Sequence, residues 1–456
     1  MPSRRELLRR AAVLGAAPAW LRACAPGLPD DGGAQAAGAG IAAEAAARAE
    51  RCVVVVQLNG GNDGLNTLAP VGDDLYFKAR PSLGIAAAEG LALGESGRAP
   101  DAGHHRWHPS LVHTARRFRE GQVAAIQGVG YPDPNLSHFT SLDIWHSGTT
   151  RMPLPATGWL GRAADATRAG EYPPLTLLAL GQDVAPRMLR AARGLAVAVP
   201  RLEDAAIAAA PRGASMAEEA ARRAVLETLQ RAATEEAGGV DGAGAGSQSA
   251  QGLRLAAGAR AARQVALDLA RAEDFTPKFA WPKSELARDL ELVARVIDKR
   301  LPTRFFFVSQ PGYDTHALQR EPHAALLRDL DEALHAFLGE LAARGLSDRV
   351  LVMTMSDFGR RVRQNGFGER AGSDHGAASM QLLFGAGITP GLHGAPPDLA
   401  HLDEHGNLRH TTDFREVYAG VIERWLGLPS APILGATFAP HGALAQPNPH
   451  QASEDR

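Results

Sequence analysis

Short apolar runs alternate along the chain with longer segments of helical periodicity, and this alternation constrains the fold most strongly. The runs are rich in aliphatic residues and lack interspersed polar residues, as is typical of strands buried on both faces of a sheet. They span residues 52–58, 122–129, 175–180, 303–309, 349–356 and 380–384. Apolar residues three and four positions apart predict helices over 109–121, 321–345 and 414–426. We therefore predict an α/β fold with a doubly wound, mostly parallel sheet.

The region between about 200 and 300 has a different composition. It is rich in Ala, Arg and Glu, which favours helix, and the Gly- and Ser-rich stretch 238–252 interrupts it. We interpret this region as a helical insertion that contains a flexible linker, within a single α/β domain spanning 51–444. The polar tail 445–456 is predicted to be frayed.

The first 24 residues have the pattern of an export signal. Arg4 and Arg5 precede an apolar run that is shorter than the roughly 20 residues of a membrane-spanning helix. This pattern resembles a twin-arginine signal, so we expect export by the twin-arginine machinery to the periplasm or the outside of the cell. The Ala- and Gly-rich stretch 25–50 then reads as a flexible tether. LRAC, ending at Cys24, is an imperfect lipoprotein box, so a lipid anchor is the alternative.

The composition excludes several classes of function. The chain has 48 Lys and Arg against 50 Asp and Glu, so no basic field favours binding to nucleic acid. Only Cys24 and Cys52 are cysteines, which excludes a disulfide framework and a Cys-rich zinc site. The sequence NGGNDG (59–64) is not followed by a GxGxxG or Walker pattern, and a nucleotide cofactor is therefore poorly supported.

Acidic residues and histidines lie next to four of the predicted strands, where one edge of a parallel sheet would bring them together. The candidate ligands are Asp63, Asp314, His316, Asp357, Asp374 and His375. Each Asp taken alone is more typical of a helix cap or a turn than of a metal ligand. Together, carboxylates and imidazoles predict one or two divalent ions, either zinc, manganese, calcium or magnesium.

A turn-rich segment, GYPDPNLSHFTSLDIWHSG (130–148), leads into a predicted helix that begins at about Ser137. A hydroxyl at a helix start, close to cations, is well placed to act as a nucleophile. Serine is also a favoured N-cap, and both interpretations remain open. His138 and Asp143 of the same segment are candidates for orienting a substrate or a ligand.

Five motifs now point to a known family. QLNGGNDGLNTLAP, PNLSHFTSLDIWHSG, PGYDTH, SDFGR and SDHG occur in this order behind the twin-arginine leader. They resemble the DUF1501 family of exported bacterial proteins, and the resemblance covers about Cys52 to Leu428. That family is similar in turn to the alkaline phosphatase and sulfatase superfamily, whose members hold one or two metals at the carboxyl edge of such a sheet.

The resemblance implies a role for each candidate residue. It makes Asp63 the first-strand ligand, Ser137 the nucleophile, Asp314 and His316 a second-metal pair, Asp357 a shared ligand and His375 a late ligand. Two departures stand out, because Phe358 occupies a position where the superfamily usually has His, and Asp314 and His316 are two rather than four residues apart. Asp374 is a candidate to replace the missing ligand.

These inferences lead to a predicted function with one rival. The chain is expected to be an exported metal-dependent hydrolase of small-molecule or polymeric phosphate or sulfate esters, with Ser137 or a metal-bound water as nucleophile. The rival is a non-catalytic envelope binding or assembly protein that keeps the alkaline phosphatase-like fold, which Phe358 favours.

Overall fold

The computed structural model describes residues 48–94, 103–167, 172–173, 175–199, 268 and 275–446. The predicted signal peptide (1–24) and nearly all of the predicted tether lie outside the described residues. So do most of the predicted helical insertion, including the linker 238–252, and almost all of the predicted tail.

Within the described residues, nine strands form one mixed sheet and the remaining strands form two small sheets. The strands are β1 (Cys52–Asn59), β2 (Leu68–Ala69), β3 (Leu91–Ala92), β4 (Arg106–Trp107), β5 (Val123–Gly130), β6 (Leu177–Leu180), β7 (Ala196–Val199), β8 (Phe305–Pro311), β9 (Val350–Ser356), β10 (Gly359–Arg360), β11 (His375–Gly376), β12 (Ser379–Gly385), β13 (Gly391–His393) and β14 (Thr412–Asp413). The main sheet has the order β13-β5-β12-β9-β1-β8-β6-β7, and β14 also pairs with β5. Every pairing in it is parallel except those of β12 with β5 and β9.

This sheet confirms the predicted α/β class. All six apolar runs form strands of the main sheet, with ends within two residues of the predicted ones. The valines of β1 are completely buried, and they alternate between two hydrophobic cores. Val53 and Val55 pack into one core, whereas Val54 and Val56 pack into the other. Both faces of the strand are therefore covered, which is why its sequence shows no polar alternation.

Helices cover the two faces of the sheet. They are α1 (Gly64–Thr67), α2 (Asp74–Ala79), α3 (Val112–Arg119), α4 (His138–Ser147), α5 (Trp159–Thr167), α6 (Glu285–Asp298), α7 (Arg320–Ala343), α8 (Phe414–Gly420) and α9 (Ser430–Leu434). Apolar residues of α3, α6 and α7 belong to one core, and those of α4, α5 and α8 belong to the other. In the part of the chain that the structure describes, no helix is both long and apolar enough to span a membrane.

The three predicted helices are present with adjusted ends. The helix predicted over 109–121 begins later, at Val112, and the Asp331 carboxylate of α7 accepts the backbone N–H groups of His113 and Thr114, both at 2.7 Å. A tertiary contact therefore satisfies the first turn of α3, which local sequence does not reveal. Predicted helix 321–345 is α7, and predicted helix 414–426 is α8 continued by the π-helical turn Val421–Trp425.

The loops that follow β1, β8 and β9 meet at one edge of the sheet. Gly60, directly after β1, has a φ of +117°, and a Cβ placed there would lie 2.5 Å from the backbone nitrogen of Asp314. Only glycine permits this close approach between the two loops. The chain thereby brings the predicted site motifs to the carboxyl edge of the parallel strands.

Candidate metal centre

Six of the predicted site residues form one connected group at this edge. His138 begins α4, Asp357 follows β9, Asp314 and His316 follow β8, and Asp374 and His375 lie at β11 before β12. Their side chains contact one another through the hydrogen bonds and close approaches described below. The group therefore joins residues from four separate parts of the chain.

His138 is held through one nitrogen and presents the other. Its Nδ1 lies 2.5 Å from Oδ2 of the buried Asp357. The other oxygen of Asp357 accepts hydrogen bonds from the Gly60 backbone N–H at 3.2 Å and from the Ser356 hydroxyl at 3.1 Å. Because this carboxylate only accepts, His138 Nδ1 carries a proton, and in the neutral ring this leaves the lone pair on Nε2. That Nε2 is buried without a hydrogen-bond partner among the described residues, 3.5 Å from Asp314 Oδ2.

His375 has the same arrangement. Its Nδ1–H donates to the backbone oxygen of Leu136 at 2.9 Å, and a carbonyl can only accept. Its Nε2 lies 3.1 Å from Asp314 Oδ1 and 3.0 Å from His316 Nε2, where it can donate to Asp314 or, in the neutral ring, bind a cation. Two imidazole nitrogens facing each other at this distance require a proton or a cation between them.

His316 is oriented by an acidic partner. Its Nδ1 donates to Asp374 Oδ1 at 2.7 Å, and the Asn365 amide donates to the same oxygen at 2.5 Å. Burial raises the pKa of Asp374, but these two hydrogen bonds outweigh burial and lower the pKa overall. Asp374 thus holds the ring of His316 in place. Its role as a replacement for the missing ligand stays a prediction.

Asp314 is the carboxylate on which the group converges. It is 47% exposed, and its Oδ1 lies 2.8 Å from Arg360 Nη2 and 3.0 Å from His316 Nε2. Burial opposes ionisation of Asp314, yet hydrogen bonds from Arg360 and His375 outweigh it and lower the pKa to about 2. Asp314 is therefore a carboxylate at neutral pH, with its second oxygen facing His138.

The donor set fits a divalent cation. One ligand atom each from His138, Asp314 and His375 lie within 4.8 Å of one another. All three imidazoles of the group are fixed by an Nδ1 hydrogen bond to an acceptor, which is how ligating histidines are usually oriented. Imidazole nitrogen combined with carboxylate oxygen suits zinc and manganese better than calcium or magnesium.

Phe358 packs directly against this group. It is buried, and its ring centroid lies 4.7 Å from that of His138 and 4.4 Å from that of His375. Because a phenyl ring cannot ligate, the position where the superfamily resemblance implies His contributes only packing here.

Asp63, the predicted first-strand ligand, has its hydrogen-bond partners outside this group. Its carboxylate is 1% exposed, and its Oδ2 is bonded to Arg80 Nη1 and Gln319 Nε2, both at 2.5 Å. Burial raises the pKa of Asp63, but the charge and hydrogen bond of Arg80 lower it overall. The carboxylate already has a matched cationic partner. Its interactions are those of a buried structural ion pair.

Ser137 is the N-cap of α4 and is exposed, but its side chain makes no capping hydrogen bond. Its backbone N–H instead donates to the Asn135 side-chain oxygen at 2.9 Å. The capping role that the sequence offered as an alternative is therefore not seen. The role of Ser137 as a nucleophile stays a prediction. Asp143 of the same helix pairs with Arg187 at 2.8 Å rather than with this group.

Two residues that support the group escaped the sequence analysis. Arg360 stands within the SDFGR motif, where it is the one basic residue, and that was an available signal. Asn365 lies in an unremarkable polar stretch, so no sequence signal marked it as a partner of Asp374.

A family model described as "Protein of unknown function (DUF1501)" matches residues 49–435. The chain belongs to the DUF1501 family. This confirms the family predicted from the five motifs. No curated protein matches this DUF1501 chain at a significant level.

Several solved structures are similar to this DUF1501 chain. A sulfatase from Pseudoalteromonas sp. is 11% identical, with a TM-score of 0.38 over 92% of this chain and 77% of that chain. An alkaline phosphatase from the Antarctic bacterium TAB5 is 10% identical, with a TM-score of 0.27 over 75% and 94%. A phosphonate monoester hydrolase from Silicibacter pomeroyi is 11% identical, with a TM-score of 0.32 over 85% and 78%. Similarity at this level decides nothing about the chemistry of the present chain.

Proposed function

We propose that this protein is an exported, metal-dependent hydrolase of phosphate or sulfate esters, whether small molecules or polymers. One observation carries the proposal. The Nε2 atoms of three imidazoles and the carboxylate of Asp314 converge at the carboxyl edge of the sheet, and each imidazole is fixed through its Nδ1. This arrangement favours a cation, which would offset the negative charge that develops during ester hydrolysis.

In this proposal His138, Asp314 and His375 hold the ion, and His316 lies beside them. When bound, a divalent ion supplies positive charge that stabilises an ester oxyanion and lowers the pKa of a nearby hydroxyl. Asp357 and the Leu136 carbonyl fix the tautomers of His138 and His375, so that both Nε2 atoms remain acceptors. Asp374 does the same for His316.

Ser137 is the proposed nucleophile, with a water molecule as the alternative. Ser137 directly precedes His138, and its exposed hydroxyl is not engaged in capping. The free N–H groups and the dipole at the start of α4 favour an anion there, either the serine alkoxide or the anionic part of the substrate.

The test is turnover by the purified protein loaded with zinc, manganese or calcium, on aryl phosphates, phosphodiesters and aryl sulfates. We expect Ser137→Ala to abolish turnover while leaving metal content and folding intact, since the exposed Ser137 hydroxyl makes no capping hydrogen bond that the substitution would remove. Ser347→Ala is the matched control, because that exposed serine precedes β9 at the opposite edge of the sheet. Full turnover by Ser137→Ala would assign the nucleophile to water, and no turnover by the wild type on any ester would reject the proposed activity.

Phe358 supports the rival proposal of a non-catalytic binding or assembly protein. It fills the side of the group between His138 and His375 without offering a ligand. A protein that binds the ion tightly but turns over none of these esters would favour this rival.

Export by the twin-arginine route remains a prediction from the sequence, as does the alternative of a lipid anchor at Cys24. Both concern residues outside those that the structure describes.

A further inference from the structure

Arg360 is a completely buried guanidinium that ties together the loops around the candidate metal centre. Its nitrogens donate to backbone oxygens of the loops after β1 and β8 and of the segment before β11, and also to one carboxylate. The acceptors are Gly61 O at 2.7 Å, Ser373 O at 2.7 Å, Tyr313 O at 2.8 Å, Asp314 Oδ1 at 2.8 Å, and Gly60 O. Five acceptors leave the charge of Arg360 fixed beside Asp314.

The charges of the group leave room for one divalent ion. Asp314, Asp357 and Asp374 contribute three negative charges, and each accepts hydrogen bonds as an ionised carboxylate does. The Arg360 guanidinium offsets one of them directly, and the charge of Arg361 acts on Asp374, which leaves a formal charge of about −1 to −2. One divalent cation would balance this charge, whereas two would leave an excess of positive charge in a partly buried site.

The hydrogen bonds that the carboxylate oxygens already accept also indicate a single bound ion. Both oxygens of Asp357 already accept hydrogen bonds, and Asp314 Oδ1 is bonded to Arg360. Asp314 Oδ2 is the oxygen that faces His138 Nε2. Asp63, which the sequence suggested as a further ligand, is paired with Arg80 through Oδ2, and its Oδ1 is buried without a hydrogen-bond partner among the described residues. Within the group around Asp314, three of the four oxygens of Asp314 and Asp357 are thus already engaged.

We infer that the centre takes a single divalent cation and that the guanidinium of Arg360 holds the second cationic position. This inference rests on the proposed metal centre and narrows it to one ion per chain. Arg360 is a positioning residue in this account, because it acts through Asp314 and the loop carbonyls.

The experiment is a calorimetric titration of metal-free protein with Zn²⁺, followed by metal analysis after gel filtration. We expect one ion per chain for the wild type and for Arg360→Lys, which keeps the charge. Arg360→Gln removes the charge and should raise the number of bound ions from one to two. Arg80→Gln is the matched control, because Arg80 is equally buried but bonded to Asp63. This variant should keep one ion with wild-type affinity, whatever its stability.

Two equally tight ions in the wild type would overturn the inference, and so would Arg360→Gln that binds one ion with wild-type affinity. If Arg360→Gln does not fold, the numbers of ions bound by the wild type and by Arg360→Lys still test the inference. One bound ion without ester hydrolysis would remove the proposed function and leave this inference standing. Two bound ions together with ester hydrolysis would support the proposed function and overturn this inference. A protein that binds no ion would overturn both.

Discussion

Two aspartates at the same edge of the sheet, each bonded to a completely buried arginine, differ in almost everything else. Asp63 follows β1, is 1% exposed, and is enclosed with Arg80 at 2.5 Å. Asp314 follows β8, is 47% exposed, and faces imidazole nitrogens in addition to Arg360. A buried carboxylate that is paired with its own arginine stabilises the fold, whereas a half-exposed carboxylate that faces imidazole nitrogens can bind a metal ion. The surroundings of each residue, and not the motif that contains it, decide its role.

The largest effect expected from this comparison is on stability at Asp63. Replacement by Asn leaves the Arg80 charge buried without its partner, which typically costs about 3–5 kcal/mol of unfolding free energy. Where Asp63→Asn folds, its zinc affinity should stay within a factor of about 3 of the wild-type value, because Asp63 is outside the ligand group. Urea denaturation and zinc calorimetry measure the two quantities. A variant that loses zinc binding but keeps wild-type stability would show that Asp63 acts as a metal ligand and not as a structural ion pair.

Asp63 also predicts how stability responds to acid. Its pKa is lowered in the folded protein, so the stabilisation that it provides is complete above the unfolded value of 3.8. That stabilisation is lost as the pH falls below this value toward the folded pKa. Asp63→Asn should lack this component. Urea denaturation of both proteins between pH 3 and pH 6 checks it, and parallel curves would show that Asp63 is not the residue responsible.

The next largest effect is on metal binding at Asp314. Asp314→Asn keeps the shape of the side chain but removes the negative charge. Zinc affinity should fall by about 100-fold or more, because loss of a residue that only supports a ligand already costs up to about 100-fold and Asp314 is a proposed ligand itself. Because Asp314 is half-exposed, the metal-free variant should unfold within about 1 kcal/mol of the wild type. Zinc calorimetry and urea denaturation of the metal-free protein test this. Wild-type affinity in the variant would place the ion elsewhere.

The smallest expected effect is on stability at a third carboxyl group, Asp289 of α6, whose pKa is shifted mainly by burial. Burial raises the pKa of Asp289 to about 7 despite the nearby positive charge of Arg288. The unfolded chain ionises this group near pH 3.8, so wild-type stability should fall as the pH rises from about 4 to about 7. Asp289→Asn should lack this fall and be more stable at pH 8, by on the order of 2 kcal/mol. Thermal or urea unfolding across this range measures it, and a destabilised variant at pH 8 would contradict the assignment.

The sequence predicts the sheet better than it predicts individual ligands. Unalternated apolar runs such as that of β1 identify strands covered on both faces, and the shared direction of parallel strands brings Asp314, His316 and Asp357 to one edge. His375 reaches the same edge because it precedes the antiparallel strand β12. The ion pair between Asp63 and Arg80 was not predictable, because nothing in the local sequence indicates that the side chain of Arg80 is buried against Asp63. The position of His138 was predictable, but its role as a candidate ligand was not. It depends on Asp357, more than two hundred residues later, holding Nδ1 so that Nε2 is free.

Anomalous diffraction at the zinc absorption edge, from crystals grown with zinc, tests the central claim most directly. The rival position is Asp63, whose Oδ1 is buried without a hydrogen-bond partner among the described residues. We predict one anomalous peak, about 2.0–2.2 Å from His138 Nε2, His375 Nε2 and a carboxylate oxygen of Asp314. A peak bonded to Asp63, or no peak at the His138–Asp314–His375 group, would contradict the account.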